Sequence, residues 1–587
     1  MKNPAHMMVA LIALSSPELA AQEAPDPYLW LEEVESEAAV EWARVRTDRT
    51  RAGLEALPVY DSIRTELSRL VMSRLAPAGG LGDFSIRGEY IDDYWSTHPN
   101  SRRTWRRTTV ASYLAGEPDW RVLLDIDSLA DAEGVPWALN GTFCLYPELK
   151  RCMVRISRGG SDVHVLREFD AERGGFVSGG FSISQERLHE MQWVDANTVL
   201  VGTDFRSDRP WPRTARLWRR GTPLEDAEPL LEIAPSSFRV DFLKLGGELL
   251  VREWVTEGAA RFHLLRGEDV VPLELPPADL RMVSGRLIVQ PQTEWHVEDR
   301  AYPASAVLAI DWDAFLAGSR DFTVVVAPDD RTVVHDVSST KSALVVQLLR
   351  NVRSQLHEYR VEDGRWIGSR VPAPELGVVG VRSADPHTDT YFFNFESRLQ
   401  APTVYVRRDD GNVRPAFAVS NPIDTSGFLI EQLETTSPDG TRVPYFVVRS
   451  RDLEFDGANP TLLLGYGGFG TSLLPTYRPV DFPWLERGGV VVIANIRGGG
   501  EFGPAWHEAG KREKRQNAYD DFFAVAGDLV RRRITSPGHL GITGRSNGGT
   551  LMGVALNQRP DLFGAVHADV PVFDLRRTRA MGGLVRA

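Results

Sequence analysis

The hexapeptide Gly544-Arg545-Ser546-Asn547-Gly548-Gly549 sets a serine between glycines as Gly-x-Ser-x-Gly. That spacing suits a sharp strand-to-helix turn, which lifts a serine hydroxyl out of a sheet as a nucleophile, the glycines leaving room for close backbone approach. The pattern alone is weak, because in a chain with 51 glycines among 587 residues about 0.3 matches arise by chance. Its surroundings strengthen it. Leu540-Gly541-Ile542-Thr543 is a short apolar run suited to a buried strand, and Gly549 to Gln558 reads as a helix stopped by Pro560.

The elements that would carry this turn lie upstream. Tyr519, Phe522, Ala526, Leu529 and Val530 recur at helical spacing, whereas Val490–Ala494 and Thr461–Leu464 are continuous apolar runs rich in strand formers. Such runs alternating with helices predict a parallel-rich sheet covered on both faces, an α/β-hydrolase domain. In that setting Ser546 is the acyl acceptor and the backbone N–H of Asn547 is one oxyanion donor. The loop after Thr461–Leu464 reads Gly465-Tyr466-Gly467-Gly468-Phe469-Gly470, whose tyrosine hydroxyl offers a second donor; a tight turn with Tyr466 packed in the core is the plainer alternative.

Several longer motifs then fall in one order: Tyr466-Gly467-Gly468-Phe469, Ala494 to Gly503, Trp506-His507, Gln516 to Phe522, Ser546 to Gly549 and Asn557 to Gly564. Together with Asp26 to Glu32 and Ser437 to Pro444, they closely resemble the prolyl oligopeptidase family of serine peptidases, over residues 25 to about 576. The resemblance implies a seven-bladed β-propeller with the hydrolase domain, and cleavage of short peptides after proline. It implies Ser546 as nucleophile, Asn547 as backbone oxyanion donor, Tyr466 as hydroxyl donor, Phe469 and Val572 as pocket walls, and Arg497 as support for a Gly-Gly-Gly loop, more as a buried ion pair than as a substrate contact. Its domain plan is a signal peptide over 1–24, a segment packing on the hydrolase domain over 25–75, a propeller over 76–425 and a truncated hydrolase domain over 426–587.

The acid and base of a hydrolase triad follow the serine in chain order. After Ser546 only one further strand is legible, Ala565 to Val572, and no histidine follows His567. His567, Asp569 and Asp574 are close in sequence, but His567 faces off a strand rather than over the turn; His507 and His539 are the other nearby histidines, His539 at the wrong end of the strand leading to it, and each of the three reads as a surface or core histidine rather than the base. The triad Asp and His are thus expected to be absent from the chain as written, a frameshifted or interrupted frame, and the polypeptide nearly inactive and poorly soluble.

A chain that is 42% hydrophobic and 25% charged is ordinary globular material, too long for one domain. A net charge of −13 argues against nucleic-acid or anionic-membrane partners; short peptides are the expected partners. Lys2, the apolar run Met7–Leu14 and Ala20-Ala21 form a short signal-peptide pattern, so export is expected, with a merely disordered tail as the alternative. Cys144 and Cys152 either pair in an oxidising compartment or remain buried thiols. They do not resemble a metal site, and no cofactor is expected.

From about 76 to 425 short β-rich runs recur every 40 to 55 residues or so, as in propeller blades. Among them are Asn197–Gly202, Glu248–Arg252, Arg286–Gln290, Ser342–Gln347 and Thr390–Asn394. Other readings are a related peptidase or esterase of different specificity, and a non-catalytic propeller and pseudo-hydrolase that binds peptides.

Overall fold

The structure, a computed structural model, describes residues 26–33, 36–75, 83–95, 103–204, 211–256, 258–418, 421 and 423–574. The signal-peptide pattern and the chain after Asp574 lie outside the described residues. The chain divides into two compact units at Ser68/Arg69. The first carries the helix Glu37–Glu55, whose first turn is capped by the Ser36 hydroxyl accepting from the Ala39 N–H, and the start of the helix Tyr60–Leu75.

Among the described residues the second unit holds seven antiparallel sheets of four or five strands formed in chain order, over residues 83–125, 137–187, 190–232, 239–273, 278–326, 332–370 and 378–418, with a small two-stranded hairpin, Trp295–Val297 and Arg300–Tyr302, inserted in the fifth. They are the seven blades of a β-propeller. Each blade packs on the next through its own apolar cluster: Trp105 against Trp137 and Val154 between blades 1 and 2, Met153 against Trp193 between 2 and 3, Leu200 against Val240 between 3 and 4. Leu250 against Leu280, Val307 against Leu344, and Val345 against Phe393 continue the ring. It closes where Phe84, Ile86 and Ile91 of blade 1 meet Phe392, Val404 and Val406 of blade 7. Among the described residues no strand pairing crosses that closure. Side chains hold it, with hydrogen bonds from the Ile86 N–H to Ser383 Oγ at 2.8 Å, the Gly88 N–H to Asp385 Oδ2 at 3.0 Å, Arg382 Nη2 to Asp83 Oδ1 at 3.3 Å and Arg414 Nη2 to Leu114 O at 2.9 Å. Cys144 and Cys152, opposite one another on neighbouring strands of blade 2, form a disulfide.

The hydrolase sheet has six strands: β1 (Phe428–Thr436), β2 (Arg442–Ser450), β3 (Thr461–Leu464), β4 (Val490–Ala494), β5 (Leu540–Arg545) and β6 (Ala565–Asp569), in the order β1-β2-β4-β3-β5-β6. The first two strands enter as an antiparallel pair, and from β4 onward the pairing is parallel. Two helices matter for the site, α1 (Arg515–Arg531) and α2 (Asn547–Gln558). In α1, Ala518, Phe522, Val525, Ala526 and Leu529 form one buried stripe against Leu463, Val492 and Ile542 of the sheet. Blade 6 touches this domain directly. Val352, held at φ +64° in the turn of a blade hairpin, buries its side chain with Phe446, Ile493 and Phe502, and Arg331 pairs with Glu434.

Candidate active site

Ser546 stands between the end of β5 and the start of α2, with φ 55° and ψ −118°. A non-glycine residue is rarely held there, at a cost of roughly 1–3 kcal/mol, and surrounding bonds must sustain it. Its N–H donates to Asp569 O of β6 at 2.9 Å, and its carbonyl accepts from the Thr550 N–H at 3.1 Å. The turn has no room for side chains on its flanks. A Cβ at Gly544 would lie 2.4 Å from Gly548 O, and one at Gly548 would lie 2.5 Å from Gly465 O.

Asn547 is the first residue of α2, so its N–H has no acceptor within the helix and lies at the positive end of the helix dipole. Its carboxamide Nδ2 donates to Tyr466 O at 2.7 Å. The glycine-rich loop after β3 is thereby fastened to the serine turn, and Tyr466 Cα and Cδ2 lie 3.4 Å from where a Gly548 side chain would begin. Phe469, at φ 56°, is exposed, with its ring centroid 6.5 Å from that of Tyr466. Val572 follows β6; its carbonyl accepts from Thr550 Oγ1 at 2.8 Å in the first turn of α2. Ser546, Asn547 and Tyr466 therefore assemble about one helix N-terminus, with Val572 tied to its first turn and Phe469 beside Tyr466.

Arg497 lies at the back of this assembly, 5% exposed. It grips Asp521 of α1 with Nε at 2.9 Å and Nη2 at 2.7 Å, while its N–H donates to the same carboxylate at 3.0 Å. Nη1 also pairs with Asp439. Burial opposes the guanidinium's charge, yet the hydrogen bonds to the two carboxylates outweigh it and raise its pKa. The same bond holds the Asp439 carboxyl down at about 2.

Each candidate base is engaged elsewhere. His507 Nδ1 is 2.8 Å from Gly498 O and 3.0 Å from the Gly470 nitrogen. The Gly470 N–H lies 3.2 Å from Gly498 O as well, so Nδ1 is taken up by the backbone of the glycine-rich loops. His539 Nδ1 meets Ser536 Oγ, and His567 Nδ1 meets Thr543 Oγ1, each at 2.9 Å. Among the described residues no imidazole is hydrogen-bonded to the Ser546 hydroxyl.

Two groups escaped the sequence reading. Arg515, inside the charged run Lys511 to Arg515, has nothing in its neighbours to separate it from a solvated surface. Glu501 is the other. It follows three glycines yet is 1% exposed, with Oε1 accepting from the Leu473 N–H at 2.9 Å and from Asn495 Nδ2 at 3.3 Å. Burial pushes its carboxyl up to about 7. Between the unfolded value near 4.5 and about 7, the native state holds a proton that the unfolded chain has lost, so the contribution of this group is whole below that window and declines as pH rises through it. Glu501→Gln removes the titration. The loss of hydrolase-domain stability from pH 5 to pH 8, read by amide exchange of that domain corrected for intrinsic rates, is expected to shrink by on the order of 2–3 kcal/mol.

A seven-bladed propeller followed by an α/β-hydrolase sheet bearing a serine on its strand-to-helix turn defines the class: a propeller-bearing hydrolase. Residues 13–408 match the N-terminal β-propeller domain of prolyl oligopeptidase, and residues 475–582 match the prolyl oligopeptidase family. The chain is 33% identical over 603 residues to an uncharacterized peptidase of Sinorhizobium fredii, covering 98% of this chain and 81% of the relative. It is 36% identical over 187 residues to the prolyl endopeptidase of Elizabethkingia meningoseptica, 32% of this chain and 26% of that protein. A solved post-proline cleaving enzyme from Rickettsia typhi superposes with a TM-score of 0.80 at 29% identity, covering 94% of this chain and 83% of its own. The chain belongs to the prolyl oligopeptidase family of peptidases.

Proposed function

We propose that the site is built for serine peptidase chemistry: attack of Ser546 Oγ on the carbonyl of a short peptide after proline. The developing oxyanion is met by the Asn547 N–H and the Tyr466 hydroxyl, and Phe469 and Val572 wall the proline pocket. One observation carries the reading. Ser546 is held at a strained φ, at the head of a helix whose first residue is fastened to the Tyr466 loop. The name of the Rickettsia typhi relative supports the preference for proline. The Cys144–Cys152 disulfide supports export to an oxidising compartment.

In this reading the polypeptide of these 587 residues turns over slowly, because among the described residues no imidazole is hydrogen-bonded to the Ser546 hydroxyl to accept its proton. That favours peptide binding without turnover as its own behaviour. A fluorophosphonate probe and a succinyl-Gly-Pro anilide test both halves. Turnover is expected to stay within roughly 10³–10⁴-fold of the rate in water, with labelling slow and confined to Ser546. Rapid stoichiometric labelling of Ser546 would overturn the inactivity, and slow labelling that spares Ser546 would overturn the nucleophile.

A further inference from the structure

Arg515, the first residue of α1, joins three pieces of chain that meet only at the site. Its Nη1 donates to Gly467 O in the glycine-rich loop and, at 3.2 Å, to Gly510 O in the turn before the helix. Its Nη2 donates to Asn547 Oδ1 at 2.8 Å, and Nε reaches the Tyr519 hydroxyl at 3.3 Å. Asn547 passes the connection on through Nδ2 to Tyr466 O. The carboxamide is therefore oriented without ambiguity, since a guanidinium can only donate and a carbonyl can only accept.

Packing makes the bridge exacting. A Cβ at Gly468 would fall 2.4 Å from Asn547 Nδ2, and one at Gly498 would fall 2.4 Å from Gly467 O and 3.2 Å from Arg515 Nη1. The loop lies flat on the Asn547 side chain, and one forked cation holds both from behind.

We propose that Arg515 is a positioning residue for the oxyanion site: through the Asn547 carboxamide and the Gly467 carbonyl it sets the separation of the Asn547 N–H from the Tyr466 hydroxyl. This rests on the peptidase reading above. Arg515 touches no reacting atom. Two donors that close on one oxygen must be placed to within about half an ångström, and a planar fork spanning two segments does this where a point charge cannot.

Binding of a product tests the role without requiring turnover. N-acetyl-Gly-Pro ends in a carboxylate whose oxygen takes the oxyanion position, and its affinity for the 587-residue chain is read by calorimetry. Arg515→Met is expected to weaken binding about tenfold, the loss of roughly one charge-assisted hydrogen bond. Arg515→Lys keeps the charge without the fork and is expected to lose nearly as much. Asn547→Ala alone and together with Arg515→Met complete a cycle in which the double variant should lose clearly less than the sum of the two singles, because both residues hold the same loop. Amide exchange in blades 1 to 7 should be unchanged in all four variants, while that of residues 465–470 rises.

If Arg515→Lys binds like the parent, or the double variant loses the sum of two independent effects, the positioning role is overturned while the site stands. Tyr466→Phe separates the other failure. If the parent does not bind the product, or Tyr466→Phe binds it as the parent does, the oxyanion site is wrong and the role of Arg515 falls with it.

Discussion

Arg497→Met is expected to destabilise the hydrolase domain by about 3–5 kcal/mol, the penalty for leaving a buried carboxylate without its partner. Asp521 is fully buried, and Arg497 supplies two side-chain hydrogen bonds to it. Methionine fills much of the volume but none of that role. Because the chain carries several domains, a single unfolding midpoint would mix their contributions, so the measurement is domain-resolved amide exchange. Protection in β2 to β5 and α1 should fall while the blades keep theirs. Pairing Arg497→Met with Asp521→Leu should restore much of the loss, since no orphan charge then remains. Asp439 contributes less, its side chain being 45% exposed. With its carboxyl held at about 2 by Arg497, its share is present above the ordinary value near 3.8 and is lost as pH falls through about 2. An unchanged protection pattern in Arg497→Met would mean that the pair orients the loop without stabilising the domain.

The parts of this fold that can be read from sequence are those buried on both faces. Asn197–Gly202, Glu248–Arg252, Arg286–Gln290, Ser342–Gln347 and Thr390–Asn394 overlap the second strands of blades 3 to 7, each sandwiched between its blade neighbours and the adjoining blades. Ala343–Arg350, for instance, is buried at every position but its last, so it reads as one apolar run. The outer strand of the same blade, Arg365–Arg370, is mostly exposed and leaves no such trace. The count of seven follows from the ring of clusters, which pairs residues of one blade with residues some forty positions away. The antiparallel entry of β1 and β2 was likewise invisible, because only their pairing with β4 distinguishes them from another blade hairpin. Glycine spacing, which reports close backbone approach, singles out the segments of Ser546, Asn547 and Tyr466, and the structure brings these three together. Arg515 and Glu501 were not legible: a guanidinium bridging two carbonyls and a carboxyl sealed beneath a loop have the same letters as surface charges.

Gly544→Ala is expected to be the most damaging one-carbon change in the serine turn. The added methyl would sit 2.4 Å from Gly548 O, 2.5 Å from Gly548 C and 2.9 Å from Gly465 O, all backbone atoms that no rotamer can move aside. Relief requires α2 to slide from the end of β5 or the glycine-rich loop to withdraw, and either motion strains the Asn547–Tyr466 hydrogen bond and the Ser546–Asp569 bond that keep Ser546 at φ 55°. Overpacking of an unyielding site costs about 3 kcal/mol or more. Gly538→Ala is the control, six residues earlier in the single helical turn that precedes β5, with nothing within 4 Å of the new methyl. It should shift stability by no more than about 0.5 kcal/mol. Exchange of the β5 and α2 amides distinguishes a local opening of the turn from global unfolding. Should Gly544→Ala match Gly538→Ala in both stability and exchange, the turn would have slack that its contacts exclude, and the strain on Ser546 would no longer need the surrounding backbone to hold it.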